Sequence, residues 1–427
     1  MKQTNPIPRY PLILFLILFS ASCAVLPGSW RPNRNKPAGA GPPPSTHANY
    51  LIEEKEKEDG MFIGLALSGG GSRAANFSSG VMLELRQRGL LDRVDFISAV
   101  SGGSLPAAYY ALEGYKGIQF TEAEAPERMR RDFQNKWIGR WFLPQNIFRY
   151  WFTDFTRSDI MVQVFDNNLY HGATYHDLNP KRPKLLINTT DHGAADRFTF
   201  TDESFADLGS DLHSYRIAGA VNVSSAFPGA FQSVAVEDFS PPEAGRPTYL
   251  HLYDGGPVDN LGITALLSSL RRAIGPMTLS ELFPKGCVII SVDAATRHGD
   301  RDAHRADTRR FIDYFIDRNA IDASDVMLLS NRREVLESVG MNSVEHRQPP
   351  YIDLDLFGEF TLYQNPENHC RFWHISLRHF PTGDPLGDRI NEIETKFNIA
   401  PEEQKALFDA AKRLVEEGME KGAKGWF

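Results

Sequence analysis

The chain has 427 residues, of which 42% are hydrophobic and 23% are charged, a composition typical of a globular protein with a substantial core. Its formal net charge is −8, which argues against a nucleic-acid partner. Three cysteines are too few for a disulfide framework, so Cys287 is predicted to be a small buried residue of an apolar strand.

The N-terminus has the pattern of an export signal followed by a lipidation site. Positive residues precede the apolar run 10–19, which is too short to span a bilayer comfortably and favours a signal peptide over residues 1–22. The small residues that follow resemble a bacterial lipobox, which implies that Cys23 is lipidated, although Ser20 stands where leucine is usual. Because Ala24 rather than aspartate comes next, we expect an exported lipoprotein of the outer membrane; ordinary secretion is the alternative.

Two further regions follow the signal. Residues 23–58 begin with a stretch rich in proline and glycine that has few apolar residues to bury, and they are predicted to form an extended tether. Residues 59–427 are predicted to form one domain with a helical C-terminal extension.

Apolar runs alternate with helical patterns in this domain. Amphipathic periodicity over 77–85, 261–270 and 406–415 predicts helices. Alternation of strands and helices predicts a three-layer α/β/α fold with a mostly parallel central sheet. Five short apolar runs are the predicted strands: Phe62–Leu67, Val94–Val100, Leu185–Ile187, Tyr249–Tyr253 and Val288–Val292.

The second predicted strand delivers a serine into a turn of small residues, Ser101-Gly102-Gly103. A sharp strand-to-helix turn of this kind exposes a nucleophilic hydroxyl, and small neighbours leave room for it. Ala99 occupies the first glycine position of the usual motif, and it is small enough to fit. We expect Ser101 to be the nucleophile, with Ser104 as the rival.

Three glycines, Gly69, Gly70 and Gly71, follow the first predicted strand and precede Arg73. Their uncovered N–H groups at the start of a helix suit an anion or the oxyanion of a transition state. A nucleotide phosphate loop has similar spacing, but glycines replace its required lysine and hydroxyl residue. A purely structural turn remains the simpler alternative.

The fourth predicted strand ends in Asp254-Gly255-Gly256. A carboxylate at a strand end can accept a proton or orient a partner, although Asp-Gly is also a common turn. In an apolar site, this carboxylate would gain basicity over its usual pKa of about 3.9.

The order of these three motifs closely resembles the patatin-like phospholipase family. The resemblance covers about residues 61–295 and includes a small-residue helix at 218–231. It implies a Ser–Asp dyad of Ser101 and Asp254, without a catalytic histidine. It also implies an oxyanion hole built from Gly69, Gly70, Gly71 and Arg73, with Gly103, Gly255 and Gly256 supporting the motifs. The expected function is hydrolysis of acyl esters of glycerolipids or phospholipids, with membrane lipids as substrate and no cofactor.

Other interpretations stay open at this stage. A Ser-His-Asp triad would need His192, His374 or His379 near the dyad. The same dyad would serve a transacylase, and a non-catalytic envelope lipoprotein could keep the fold. No metal site is predicted: the histidines and aspartates of 298–304 alternate with arginines, as in a solvated loop.

Residues 133–157 interleave aromatic residues with Lys136, Arg140 and Arg149. Such a segment suits a membrane interface. A cap over an acyl-chain pocket or a peripheral core cluster would have the same composition.

Overall fold

The structure, a computed structural model, describes residues 34–39, 44–228, 231–241, 248–296, 328, 330–341, 343–345 and 352–427. The predicted signal peptide, Cys23 and the first part of the predicted tether lie outside the described residues. The charged segment at 298–304 lies outside them as well.

Most of the strands belong to one large sheet. In chain order the strands are β1 (Met61–Leu67), β2 (Phe96–Val100), β3 (Lys184–Asp191), β4 (Asp196–Phe200), β5 (Val234–Glu237), β6 (Tyr249–Asp254), β7 (Gly286–Asp293), β8 (Ser343–Glu345), β9 (Ile352–Leu354), β10 (Phe357–Thr361) and β11 (His369–Ser376). The main sheet has the order β10-β11-β7-β1-β2-β3-β6-β5, with β4 also paired to β3, and β8 pairs separately with β9. Its centre, β11-β7-β1-β2-β3, is parallel.

Helices cover the sheet. They are α1 (Glu54–Lys57), α2 (Gly71–Gln87), α3 (Ser104–Ala111), α4 (Glu124–Met129), α5 (Phe133–Trp141), α6 (Pro144–Phe152), α7 (Arg157–Phe165), α8 (Asp202–Asp207), α9 (Ile217–Ser224), α10 (Gly256–Asp259), α11 (Ile263–Ile274), α12 (Leu279–Leu282), α13 (Pro385–Asn391) and α14 (Pro401–Lys421). Residues 330–338 are also helical.

The strand β1 shows why the fold has three layers. All seven of its residues are buried, as expected for a central parallel strand. Ile63 and Leu65 join the core shared with α2, α9 and α14, whereas Phe62 and Ala66 join the core under α11. Alternate residues therefore face two separate cores, and the predicted α/β/α fold is confirmed.

The outer strands differ from the sequence prediction. β6 is antiparallel to β3, and β4, β5 and β10 are likewise antiparallel to their neighbours. The Asp-Gly-Gly motif therefore follows an antiparallel strand, whereas the glycine loop and Ser101 follow parallel strands. Periodicity does not specify strand direction, which depends on pairing with distant residues.

The C-terminal part is more than the predicted helical extension. β11 pairs with β7 inside the main sheet, and α14 packs along α2. Trp373 of β11 is fully buried against this helix, and Gly418 of α14 lies next to its indole ring. The residues after 295 therefore complete the core of the domain.

Two cysteines are paired, contrary to the sequence prediction. Cys287 of β7 and Cys370 of β11 form a disulfide between neighbouring strands. The two positions are 83 residues apart, so only the strand pairing brings them together. A count of three cysteines did not reveal the pair, because framework arguments apply to cysteine-rich chains.

The described part of the predicted tether packs against the domain. Ala48 is fully buried, and Asn35 hydrogen-bonds through its side chain to Ser210 Oγ and Glu237 O. Thr46 binds the carboxylate of Asp202 through both its N–H and its hydroxyl. Residues 34–39 and 44–58 are thus held against the domain by these contacts.

Two glycines inside helices provide a matched test of the C-terminal packing. A methyl group on Gly418 would come 2.5 Å from the rigid indole of Trp373, whereas one on Gly139 of α5 would meet nothing within 4 Å. We expect Gly418→Ala to lower the free energy of unfolding by about 1–3 kcal/mol. Gly139→Ala should raise it by up to about 1 kcal/mol, because alanine favours helix. Urea unfolding measures both, and equal effects would contradict the packing of α14 under β11.

Candidate active site

Ser101 lies at the sharp turn between β2 and α3. Its φ of +48° is in the left-handed region, which non-glycine residues rarely adopt. A methyl group on Gly102 would overlap the carbonyl oxygen of Gly71, and one on Gly103 would lie 2.7 Å from Ser68 O. Only glycines fit at these two positions. Backbone strain at a functional residue is typical of a nucleophile elbow.

Sheet register brings Asp254 to this serine. Val100 pairs with Asn188 on one side of β3, and Asp254 pairs with the next residue, Thr189, on the other side. The strand β6 therefore delivers its last residue to the same level at which β2 ends. Thr190 fixes this position further by donating its hydroxyl proton to Asp254 O, at 2.8 Å.

Ser101 and Asp254 form a buried hydrogen-bonded pair. Ser101 Oγ donates to Asp254 Oδ2 at 2.9 Å, and the side chains belong to residues only 8% and 4% exposed. Gly256 N–H donates to Asp254 Oδ1 at 2.8 Å. Burial raises the pKa of Asp254 to about 6, against the opposing effect of these two hydrogen bonds. The carboxylate is a stronger base than an exposed aspartate and is still largely ionised at neutral pH.

The glycines after Asp254 have separate functions. Gly256 supplies the N–H that fixes the carboxylate, as described above. A methyl group on Gly255 would come 2.5 Å from Asn188 O, so this position is restricted to glycine by close backbone packing. The Asp-Gly-Gly sequence therefore packs closely against the backbone of β3 at Asn188 and Thr189.

The rival residues are placed elsewhere. Ser104 Oγ is fully buried in α3, 3.2 Å from Ser224 Oγ. His374 lies on β11 and contacts Asp293, and His379 packs edge-on against His374. His192 lies with its ring centroid 6.3 Å from that of Tyr253. Among the described residues, no histidine side chain hydrogen-bonds to Ser101 or Asp254.

The three glycines form a loop beside Ser101. A methyl group on Gly69 would lie 3.3 Å from the Ser101 Cβ and would overlap Asn260 Oδ1. The Gly69 N–H is already used, since it donates to Asn260 O at 2.9 Å. Gly70 and Gly71, with φ values of +136° and +58°, are the N-cap and first residue of α2. Their N–H groups come before the first intrahelical donors and are the candidates for an oxyanion.

Arg73 holds this loop in place. Its Nε donates to Ala294 O at 2.9 Å and its Nη1 to Ile393 O at 2.8 Å. The side chain is buried, and these bonds direct it to the backbone beyond β7 and α13. The geometry therefore gives Arg73 a positioning role, where the sequence had predicted membership of the oxyanion hole.

Comparisons with known proteins agree with this geometry. Residues 65–267 match the family model for patatin-like phospholipase and form a patatin-like domain. The match contains Ser101, Asp254 and the glycine loop, and the predicted resemblance is confirmed.

One of the solved structures that match shares the fold. Human GIVD cytosolic phospholipase A2 is 11% identical, with a TM-score of 0.52 over 90% of this chain. The chain covers 66% of that enzyme, just under two thirds of its length. VipD from Legionella pneumophila is 13% identical with a TM-score of 0.33, covering 93% of this chain and 72% of VipD. A sequence comparison with curated proteins finds no match.

The patatin-like domain contains supporting residues that the sequence analysis missed. Ser224, at the end of α9, accepts a hydrogen bond from Ser101 N–H at 2.8 Å and donates to Asn188 O at 2.6 Å. Asn188 in turn donates to Ser98 Oγ, at 2.8 Å. The small-residue helix at 217–224 carried the signal, but a serine among small buried residues does not indicate its hydrogen-bond partner.

A buried charge network supports the other side of the glycine loop. Asp293 ends β7 and pairs with Arg332, while His374 Nε2 lies 3.4 Å from Asp293 Oδ2. Burial opposes ionisation of Asp293, but Arg332 and His374 hold its pKa below the usual value. The next residue, Ala294, donates its N–H to Ser68 Oγ at 2.9 Å, immediately before the loop. The strand-end rule that identified Asp254 would also have identified Asp293.

The described part of the patatin-like domain contains no group of acidic, histidine and cysteine side chains suited to a metal ion. No helix within that part is both long and apolar enough to cross a bilayer.

The raised pKa of Asp254 predicts that the free energy of unfolding depends on pH. In the folded state this pKa is about 6, against an ordinary value of 3.8, so the folded protein binds the proton more tightly than the unfolded chain. Stability contributed by the protonated group is complete below about pH 4 and is lost as pH rises through 6. Relative to Asp254→Asn, the wild type should lose about 3 kcal/mol of unfolding free energy across this window. Urea unfolding at several pH values measures the difference, and a pH-independent difference would contradict the raised pKa.

Proposed function

We propose that the protein hydrolyses acyl esters of glycerolipids, phospholipids among them, through Ser101 and Asp254. The observation that carries the proposal is the buried 2.9 Å hydrogen bond from Ser101 Oγ to a carboxylate whose pKa is raised to about 6. A hydroxyl becomes a competent nucleophile when a neighbouring base accepts its proton. A base with a pKa near the working pH performs this transfer well.

The reaction has two halves. Ser101 Oγ attacks the carbonyl carbon of the acyl ester while Asp254 Oδ2 takes the hydroxyl proton. Collapse of the tetrahedral intermediate releases the alcohol, which receives that proton, and leaves the acyl group on Ser101. Water then attacks the acyl-serine with Asp254 again as base, which releases the fatty acid and restores the hydroxyl.

The intermediate needs hydrogen-bond donors for its oxyanion. Gly70 and Gly71 offer N–H groups at the start of α2, beside Ser101. The partial positive charge of the helix N-terminus favours the developing anion as well. A single oxyanion donor is commonly worth about 3 kcal/mol of transition-state stabilisation. Arg73 serves this step indirectly, because it fixes the loop through Ala294 O and Ile393 O.

The dyad predicts strongly non-additive mutations. If Asp254 acts by taking the proton of Ser101, its contribution disappears when the hydroxyl is absent. Ser101→Ala and Asp254→Asn should each remove most turnover, and the double variant should be scarcely worse than the worse single variant. The measurement is kcat/KM on one soluble ester for all four proteins, with folding checked by circular dichroism and the nucleophile by a fluorophosphonate probe.

Other outcomes would reassign the site. Losses that multiply would make Asp254 a structural residue independent of the chemistry. Activity and probe labelling that persist in Ser101→Ala would move the nucleophile, with Ser104 next in line. His192→Gln is the matched control, because His192 lies beside Tyr253, the neighbour of Asp254, but does not hydrogen-bond to the dyad. A loss of about a thousandfold in folded His192→Gln would favour a triad. Product analysis with an added alcohol acceptor separates hydrolysis from acyl transfer.

The export prediction is part of the same proposal. An apolar run and Cys23 indicate a lipoprotein signal. The Cys287–Cys370 disulfide supports an oxidising compartment, since stable disulfides are rare in the cytosol. We therefore propose attachment of the chain to the cell envelope through lipid on Cys23.

Labelling with a radioactive or alkyne fatty acid tests the anchor. The wild-type chain should incorporate the label in cells of a bacterial host, and Cys23→Ser should lose it because the acceptor thiol is gone. Cys287→Ser and Cys370→Ser are the matched controls, which should stay labelled because these cysteines lie in the folded sheet. Equal labelling of wild type and Cys23→Ser would contradict the anchor and leave the hydrolase proposal untouched.

A further inference from the structure

The aromatic segment forms a hairpin of two short helices, α5 and α6, with one side packed and the other exposed. Trp137 packs inward, with its Nε1 donating to Arg157 O at 3.1 Å and its ring against Phe231. The outward side carries large apolar side chains on α5, α6 and the connecting turn. These exposed residues, between 36% and 69% accessible, are Ile138, Phe142, Leu143, Ile147, Phe148, Trp151 and Phe152.

This exposed group, here called the hairpin surface, is unusual for a soluble protein. Scattered exposed apolar residues need no explanation, but a contiguous aromatic patch marks an interaction site. The remaining large exposed apolar residues of the described chain are isolated from one another in sequence: Leu51, Tyr249, Met277 and Tyr363. The hairpin surface therefore requires a partner.

Charge indicates the chemistry of that partner. The hairpin Phe133–Phe152 contains Lys136, Arg140 and Arg149 and no carboxylate, although the whole chain carries a net charge of −8. Lys136 and Arg140 also line an open surface groove of about 380 Å³, together with Gly139, Leu143, Asn167 and Asn168. An apolar face bordered by cations and amides fits lipid acyl chains beside anionic headgroups.

The N-terminal segment contacts the domain close to the hairpin surface. Arg34, among the first described residues, forms an ion pair with Asp154 at 3.1 Å, two residues after the end of α6. Cys23 is eleven residues before Arg34, a distance of at most about 40 Å in a fully extended chain. Lipid attached to Cys23 would therefore tether the protein near the hairpin surface.

The hairpin also adjoins the active site. Gln134 N–H donates to Phe397 O at 3.2 Å, and Phe231 packs between the rings of Trp137 and Phe397. The neighbouring Lys396 O accepts from Ser72 N–H at 2.8 Å, directly after the glycine loop. The hairpin and the oxyanion loop thus share one support, Lys396-Phe397.

We infer that the hairpin surface docks into an anionic phospholipid bilayer, the same bilayer that holds the lipid on Cys23. The aromatic residues of α6 enter the interface, and the cations of α5 and α6 contact headgroup phosphates. This inference rests on the proposed function, because it assigns the surface through which a lipid hydrolase reaches a substrate in a membrane.

Fluorescence quenching by brominated lipid tests the docking on the full chain. The protein carries Ser101→Ala throughout, so that no lipid is hydrolysed, and is reconstituted into vesicles of phosphatidylcholine and phosphatidylglycerol with brominated acyl chains. The contribution of Trp151 is the difference between this protein and its Trp151→Phe variant. We expect bromolipid to quench most of that contribution, because Trp151 lies 49% exposed on α6.

Trp426→Phe is the matched control. Trp426 packs against Phe357 and Arg371, so its contribution should not be quenched. An unquenched Trp151 would overturn the inference, since the N-terminus already holds the chain on the vesicle. Equal quenching in vesicles of phosphatidylcholine alone would overturn the part assigned to the cations. Self-association that is lost in Phe148→Ser, with Trp151 unquenched, would assign the surface to a protein partner instead.

Catalysis is read in a second assay, in which the protein that keeps Ser101 is mixed with the same vesicles and the released fatty acid is measured. A protein that docks but hydrolyses no lipid would defeat the proposed function and leave the inference standing. A protein that hydrolyses lipid while Trp151 stays unquenched would support the proposed function and overturn the inference about the hairpin surface.

Discussion

The buried carboxylate of Asp254 is the constraint on which the rest of the site depends. A charge removed from water is costly unless hydrogen bonds replace the lost hydration. Here the replacements are the Ser101 hydroxyl and the Gly256 N–H. They compensate only in part, which is why the pKa stays raised at about 6. Fuller compensation, for example by a cation, would stabilise the fold and weaken the base.

This constraint explains the number of glycines around the dyad. The hydroxyl and the carboxylate must meet with little water between them, so backbone segments from three loops converge on one point. Gly102 abuts the carbonyl of Gly71, Gly103 abuts that of Ser68, and Gly255 abuts that of Asn188. A side chain at any of these positions would separate the loops, and the hydrogen bond between Ser101 and Asp254 would lengthen.

The sequence predicts the local parts of this site and leaves out the long-range ones. Ser101, Asp254 and the glycine loop were identifiable because each follows an apolar strand and sits among small residues. The antiparallel direction of β6 and the cross-strand disulfide at Cys287 depend on pairings that no local pattern encodes. Arg73 was identified, but its bonds to Ala294 O and Ile393 O could not be predicted, because these partners lie more than 200 residues away in sequence.

These distant partners show that the region after residue 295 supports the candidate active site. The family match ends at residue 267, yet the glycine loop is held by Ala294 O, Ile393 O and Lys396 O. The next residue, Phe397, supports the aromatic hairpin, because its carbonyl oxygen accepts a hydrogen bond from Gln134 N–H. A displacement of the hairpin would therefore be transmitted to the loop through a dipeptide that contacts both. The hairpin surface and the glycine loop are joined in this fold by packing, and the C-terminal segment is the physical link between them.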